Sequence, residues 1–188
     1  KIELPQKVFV LLGQGGCGKT EVIKIIRKLI DTYQDLLTEG TAQASGPISV
    51  ALAATNAAAV GIDGDTIHSG LDFRTGGGLN IAYLAKREVT QDLRTAWRDV
   101  HLLVIDEISM LAPALLGATS YRICQARFPS WNCDPRDFTE RGTAYGAIPL
   151  VILTGDFMQL PALSGNSKRT SLIADLEKEQ EAKAAGNS

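Results

Sequence analysis

Four short stretches of this chain are apolar almost without interruption: Val8-Phe9-Val10-Leu11-Leu12, Ile48-Ser49-Val50-Ala51-Leu52, Leu102-Leu103-Val104-Ile105 and Leu150-Val151-Ile152-Leu153. A strand with one wet face alternates apolar and polar residues. A continuous run needs cover on both faces, which is the condition of a parallel sheet. Between the first two runs, Val22, Ile25, Ile26, Leu29, Ile30, Tyr33, Leu36 and Leu37 recur at three- and four-residue steps. That spacing predicts a helix with one apolar stripe, stopped near Gly40. Further helices are predicted over Ile81–Trp97 and Ala114–Ala126. Strands and helices in alternation predict an α/β fold: a mostly parallel central sheet flanked by helices, with right-handed crossovers.

Composition fits one domain. The chain has 188 residues, is 45% hydrophobic and carries 19 basic against 21 acidic side chains, for a net charge of -2. That much apolar content with so little net charge excludes disorder. No apolar run approaches the roughly 20 residues of a membrane span. Glu3, Pro5, Gln6 and Lys7 break any secretory-signal layout at the N-terminus. The near-neutral balance gives no global attraction to nucleic acid, so any such contact must be local. Cys17, Cys124 and Cys133 are too few and too scattered for a disulfide framework or a zinc site, and an intracellular, reducing setting is expected. Gly40–Pro47, Asp72–Asn80 and Phe128–Gly146 read as loops or irregular excursions. The domain is expected over residues 1–166, with 167–188 as a polar helical tail rich in Ala, Glu and Lys.

The first apolar run leads into Gly13-Gln14-Gly15-Gly16-Cys17-Gly18-Lys19-Thr20, which satisfies G-x-x-x-x-G-K-[ST] at every fixed position. Glycines let consecutive backbone N–H groups turn inward on a phosphate, and the helix that follows points its positive end at the same anion. Gly15, Gly16, Cys17, Gly18, Lys19 and Thr20 are therefore the expected nucleotide cradle. Lys19 reaches the β- and γ-phosphates, and the Thr20 hydroxyl ligates Mg²⁺. Cys17 lies at a variable place in this loop. It is expected to react with thiol reagents and to be shielded by bound nucleotide.

The third apolar run ends in Asp106-Glu107. A carboxylate at a strand end beside a phosphate loop can hold Mg²⁺. Its neighbour leaves the strand in another direction. Asp106 is thus the candidate metal ligand and Glu107 the candidate general base for hydrolysis. The fourth run ends in Thr154-Gly155-Asp156-Phe157-Met158-Gln159-Leu160-Pro161. Ligands of α/β sheets sit beyond the carboxyl ends of the strands, which places Gln159 on the same edge as Lys19 and Asp106, able to sense the γ-phosphate.

Asp106-Glu107-Ile108-Ser109-Met110 and Gly155-Asp156-Phe157-Met158-Gln159-Leu160-Pro161 resemble the second and third helicase motifs of the Pif-type DNA helicases, in branch B of superfamily one. Thr55-Asn56-Ala57-Ala58-Ala59 and Gly64-Asp65-Thr66-Ile67-His68-Ser69 resemble two further motifs of that family, and Tyr145-Gly146-Ala147-Ile148-Pro149 also matches its habit. The resemblance runs from about Val8 to Leu163. It implies a RecA-like P-loop motor domain that couples ATP hydrolysis to 5′-to-3′ movement on single-stranded DNA, in repair or recombination. A eukaryotic source would place it in the nucleus or mitochondrion. By matched position, Lys19, Glu107 and Gln159 are implied in catalysis and Thr20 and Asp106 in binding Mg²⁺. Thr55, Asn56, Thr66 and His68 are implied along the DNA path.

The sequence departs from the family in three places. The usual second proline after Pro161 is Ala162. Gln6 lies too close to Val8 for the family's upstream adenine-binding glutamine. No residue after Pro161 supplies the second RecA-like domain or its arginine, so a piece of a longer protein, poorly active alone, is expected. The alternative is a nucleotide-binding or protein-interaction module descended from such a motor. A small-molecule kinase is disfavoured, because Glu107 follows Asp106 and no arginine-rich lid is evident. Arg74, Lys86, Arg87, Arg94 and Arg98 alternate with acidic residues and read as a solvated face rather than a DNA groove.

Overall fold

The structure, a computed structural model, describes residues 5–38, 46–73, 84, 87–129 and 144–158. Five strands form one sheet: β1 (Lys7–Leu12), β2 (Ser49–Ala53), β3 (Asp65–Thr66), β4 (Leu102–Asp106) and β5 (Leu150–Gly155), in the order β1-β5-β4-β2-β3. Every pairing is parallel. Helices among the described residues include α1 (Lys19–Thr38), α2 (Asn56–Gly61), α3 (Ile67–Gly70), α4 (Gln91–Arg98) and α5 (Pro113–Arg127), with 3₁₀ turns at Ile108–Met110 and Ala144–Ala147.

The central strand explains the continuous apolar runs. All of β4 is buried. Leu103 and Ile105 enter one core with Leu71, Trp97, Ile123 and Val151. Leu102 and Val104 enter a second with Ile23, Ala59, Ile62 and Ile152. The alternate residues of one strand thus fill opposite faces, and each fully buried Leu or Ile contributes about 1.5–3 kcal/mol. On the first face, the wholly buried Arg122 of α5 donates to the carbonyls of Arg87 (3.1 Å) and Glu88 (3.2 Å), holding the approach to α4.

Several expectations need correction. The stripe on α1 divides. Ile23 is buried and Ile26 and Ile30 pack on the core, while Ile25, Leu29 and Tyr33 are 61–67% exposed. Apolar residues at so many positions wrap beyond the single face that one sheet can cover. β1 is not covered on both faces either: Val8, Phe9 and Val10 are 47–56% exposed, and among the described residues β1 pairs only with β5. The single helix expected over Ile81–Trp97 is interrupted: Leu84 is helical, residues 87–90 are not, and a helix begins at Gln91, where Thr90 Oγ1 accepts the Leu93 N–H (3.3 Å); residues 81–83 and 85–86 lie outside the described residues. The short β3, α2 and α3 were not foreseen. Gly40, most of the 128–146 excursion, Gln159 and the 167–188 tail lie outside the described residues. No helix among the described residues is long and apolar enough to cross a membrane.

Candidate active site

Parallel pairing puts every strand's carboxyl end on one edge. Leu12 pairs with Gly155, Ile105 with Leu153, and Ala53 with both Asp106 and Thr66. The turns after β1, β2, β3, β4 and β5 are therefore neighbours along a single rim. This is where the candidate residues fall.

The loop after β1 needs conformations that side chains disfavour: Gly16 and Gly18 have φ of 78° and 89°. It then turns directly into α1, with the Val22 N–H on the Gly18 carbonyl (3.1 Å). Lys19 Nζ donates to the carbonyls of Gly13 (2.6 Å) and Gln14 (3.0 Å) and lies 4.0 Å from Cys17 Sγ. The ammonium is thus held over the loop. Cys17 is exposed.

Asp106 is buried at the end of β4. Its Oδ1 accepts the Thr154 hydroxyl and the Glu107 N–H (2.9 Å). Both donors converge on one oxygen, which restrains the orientation of the carboxylate. Glu107 adopts a left-handed backbone (φ 57°, ψ 42°), a strained state for a non-glycine residue and one that redirects its side chain from the strand. Its Oε2 is buried without a hydrogen-bond partner. Burial, then the charge of Asp106, hold its carboxyl above the ordinary glutamate range; Lys19 pulls the other way and Asp156 adds to the rise. These charges reach Glu107 from the end of β4, the start of α1 and the turn after β5, so the paired acids and Lys19 act on one another electrostatically.

Thr20 and Asp106 offer hard oxygen donors, which suit Mg²⁺. Among the described residues no cluster of three or more His, Cys, Asp or Glu could hold an ion unaided.

Two residues to which the sequence reading assigned no role belong to the site: Thr154, on Asp106, and Asp156, whose Oδ2 accepts the Gly15 N–H of the phosphate loop (2.9 Å). The signal available was their place at the carboxyl end of β5. The four residues read onto a DNA path sit on the far half of the rim. Thr55 and Thr66 cap α2 and α3, accepting the N–H groups of Ala58 (3.3 Å) and Ser69 (3.2 Å). Asn56 is exposed on the first turn of α2. His68 stacks edge-on against Phe73 with ring centres 5.9 Å apart.

Comparison with known proteins agrees with this geometry. The PIF1-like helicase family matches residues 2–182. The chain is 38% identical over 157 residues to the ATP-dependent DNA helicase RRM3 of Saccharomyces cerevisiae, covering 81% of this chain and 18% of that protein. It is 31% identical over 170 residues to the ATP-dependent DNA helicase PIF1 of Emericella nidulans, covering 89% and 20%. The chain thus spans about a fifth of these relatives' length. Among solved structures, the Pif1 helicase of Candida albicans is 30% identical with a TM-score of 0.58, covering 85% of this chain and 31% of that one. Bacteroides Pif1 bound to single-stranded DNA shares the fold at 22% identity and a TM-score of 0.61, covering 86% and 31%. A phosphate loop, an acid pair and the turn after β5 on one parallel rim, with a match across nearly the whole chain, establish the assignment: this chain belongs to the PIF1-like helicase family.

Proposed function

We propose that this chain is the ATP-binding, RecA-like half of an ATP-dependent DNA helicase that moves 5′ to 3′ on single-stranded DNA. The observation that carries the reading is Glu107. It is a carboxylate in a strained backbone, with one buried unpartnered oxygen, within electrostatic reach of Lys19 at the end of the phosphate loop.

In this reading the backbone N–H groups of Gly15 to Thr20 and the Lys19 ammonium bind the β- and γ-phosphates. Thr20 and Asp106 hold Mg²⁺, which neutralises phosphate charge when bound. Thr154 and the Glu107 N–H fix the orientation of Asp106. Glu107 takes the proton of the attacking water; its raised pKa makes it a stronger base than an ordinary glutamate. Gln159 reports the nucleotide state to the DNA path, which runs over Thr55, Asn56, Thr66 and His68. A second RecA-like domain of the same longer protein supplies the arginine that completes the site. The threefold greater length of the matched solved chains supports that partnership. Loss of such an arginine costs on the order of 10³- to 10⁵-fold in P-loop enzymes, so these 188 residues alone bind ATP–Mg²⁺ but hydrolyse it slowly.

Calorimetry with ATP and Mg²⁺ tests the proposal. The unsubstituted chain binds, and Lys19→Ala weakens Kd by roughly a hundredfold, the scale of a lost charge-assisted contact. No heat from the unsubstituted chain overturns the nucleotide reading. Anisotropy of a labelled single-stranded oligonucleotide that is unchanged by His68→Ala removes that residue from the DNA path.

A further inference from the structure

One carboxylate joins the phosphate loop to the turn after β5. Asp156 is 5% exposed. Its Oδ2 accepts the Gly15 N–H at 2.9 Å, and its Oδ1 accepts the Met158 N–H at 2.9 Å. Below it, the Gly13 N–H donates to the Gly155 carbonyl (3.3 Å), one step beyond the Leu12–Gly155 pair. The stem of the loop is therefore tied to β5 by backbone, and its crown is tied to the following turn through the Asp156 side chain. Charge-assisted hydrogen bonds of this kind are roughly twice as strong as neutral ones, and burial removes the competing water.

We propose that Asp156 is a positioning residue that carries the charge state of the phosphate loop to the turn at Phe157–Met158, immediately before Gln159. The inference rests on the nucleotide reading above and adds the physical link that reading lacks. A nucleotide in the loop brings negative charge toward backbone N–H groups, one of which already holds the Asp156 carboxylate. Like charges at such short range repel strongly in a site of reduced dielectric. The two carboxylate oxygens belong to one rigid plane, so displacement at Oδ2 is felt at Oδ1 and by the Met158 N–H. A triphosphate carries more charge into the loop than a diphosphate. The turn therefore distinguishes ATP from ADP without touching either.

Amide resonances of the uniformly ¹⁵N-labelled full chain test this, with the Mg²⁺ complexes of ADP and of a non-hydrolysable ATP analogue as probes. In the unsubstituted protein both nucleotides shift Gly15, and the analogue shifts Met158 further than ADP does. In Asp156→Asn, of the same shape but without the charge, nucleotide still shifts Gly15 while the ADP-to-analogue difference at Met158 is lost. A Met158 amide that keeps its full difference in Asp156→Asn overturns the inference. So does one that stays fixed in the unsubstituted protein while Gly15 moves, and that second comparison decides the matter even if the variant does not fold. A chain in which no amide from Gly13 to Thr20 answers either nucleotide overturns the nucleotide reading itself, a distinguishable failure.

Discussion

Thr154 donates its hydroxyl proton to Asp106 Oδ1 across the β4–β5 pair, one step beyond the point where Ile105 meets Leu153. Thr154 is fully buried, so the bond has no water to replace it. Thr154→Val keeps the shape and removes the donor. It should cost about 1.5–3 kcal/mol, the range for a hydrogen bond to a charged group. It should also raise the Mg²⁺ concentration needed for half-maximal nucleotide binding, because Asp106 loses one of the two donors that orient it. Thr154→Ser should restore both quantities. An unchanged Mg²⁺ midpoint in the valine variant, measured by calorimetry, would remove Thr154 from the site.

Glu107 makes the active site sensitive to pH in a stated direction. Its carboxyl is held above the ordinary glutamate range in the folded chain, through burial first and the Asp106 charge second. Folding therefore favours its protonated form, and the ionised form carries a cost that is complete above the folded pKa and absent below the ordinary glutamate range. Glu107→Gln removes that cost. The variant should melt slightly higher than the unsubstituted chain at neutral pH, and the gain should vanish as pH falls through the folded pKa. A gain that grows on acidification would contradict the assignment. In the full-length protein the same variant should bind ATP and fail to hydrolyse it, and normal turnover would end the general-base reading.

Cys17 is exposed on the crown of the phosphate loop, 4.0 Å from the Lys19 ammonium. A nucleotide over that loop covers the thiol. Alkylation of Cys17, followed by peptide mass, should slow about tenfold at a nucleotide concentration of roughly ten times Kd, since only the free fraction reacts. Equal rates with and without ATP would mean that the nucleotide does not sit against this residue.

Gly155, the last residue of β5, packs closely against the turn that follows β4. A Cβ there would stand 3.0 Å from Ile108 Cγ1 and 3.2 Å from the Ser109 nitrogen. Gly155→Ala should cost about 1–3 kcal/mol, as overfilled interiors do. It should also push the Asp106–Glu107 turn away from β5, weakening Mg²⁺-dependent nucleotide binding beyond the loss of stability. Denaturant melts together with calorimetry separate the two effects.

Much of this arrangement is legible in the sequence, for a physical reason. A strand filled on both faces has no polar alternation, so Leu102–Ile105 and Leu150–Val151 declare themselves. The phosphate loop does so too, since its glycines have few substitutes. β3 does not, because Asp65–Thr66 is too short for any periodicity. The reach of the α1 stripe was overread, because apolar spacing reports which residues could be buried and not how wide a face the sheet offers. Thr154 and Asp156 matter through partners 48 and 141 residues away, and only the register of the sheet reveals such pairs. The left-handed turn at Glu107 is set by tertiary packing rather than by any local signal.

The strand order also has a consequence for biosynthesis. Among the described residues β1 finds its partner only in β5, where Lys7 meets Leu150. At ribosomal speed the intervening stretch takes roughly 7–30 s to emerge. Through that interval the nucleotide cradle has no anchor for its stem, and Val8 to Leu12 travel as a bare oily ribbon. β1, made well before β5, is thus among the last strands of this sheet to be locked in place, and it is the segment where a chaperone would find most to hold.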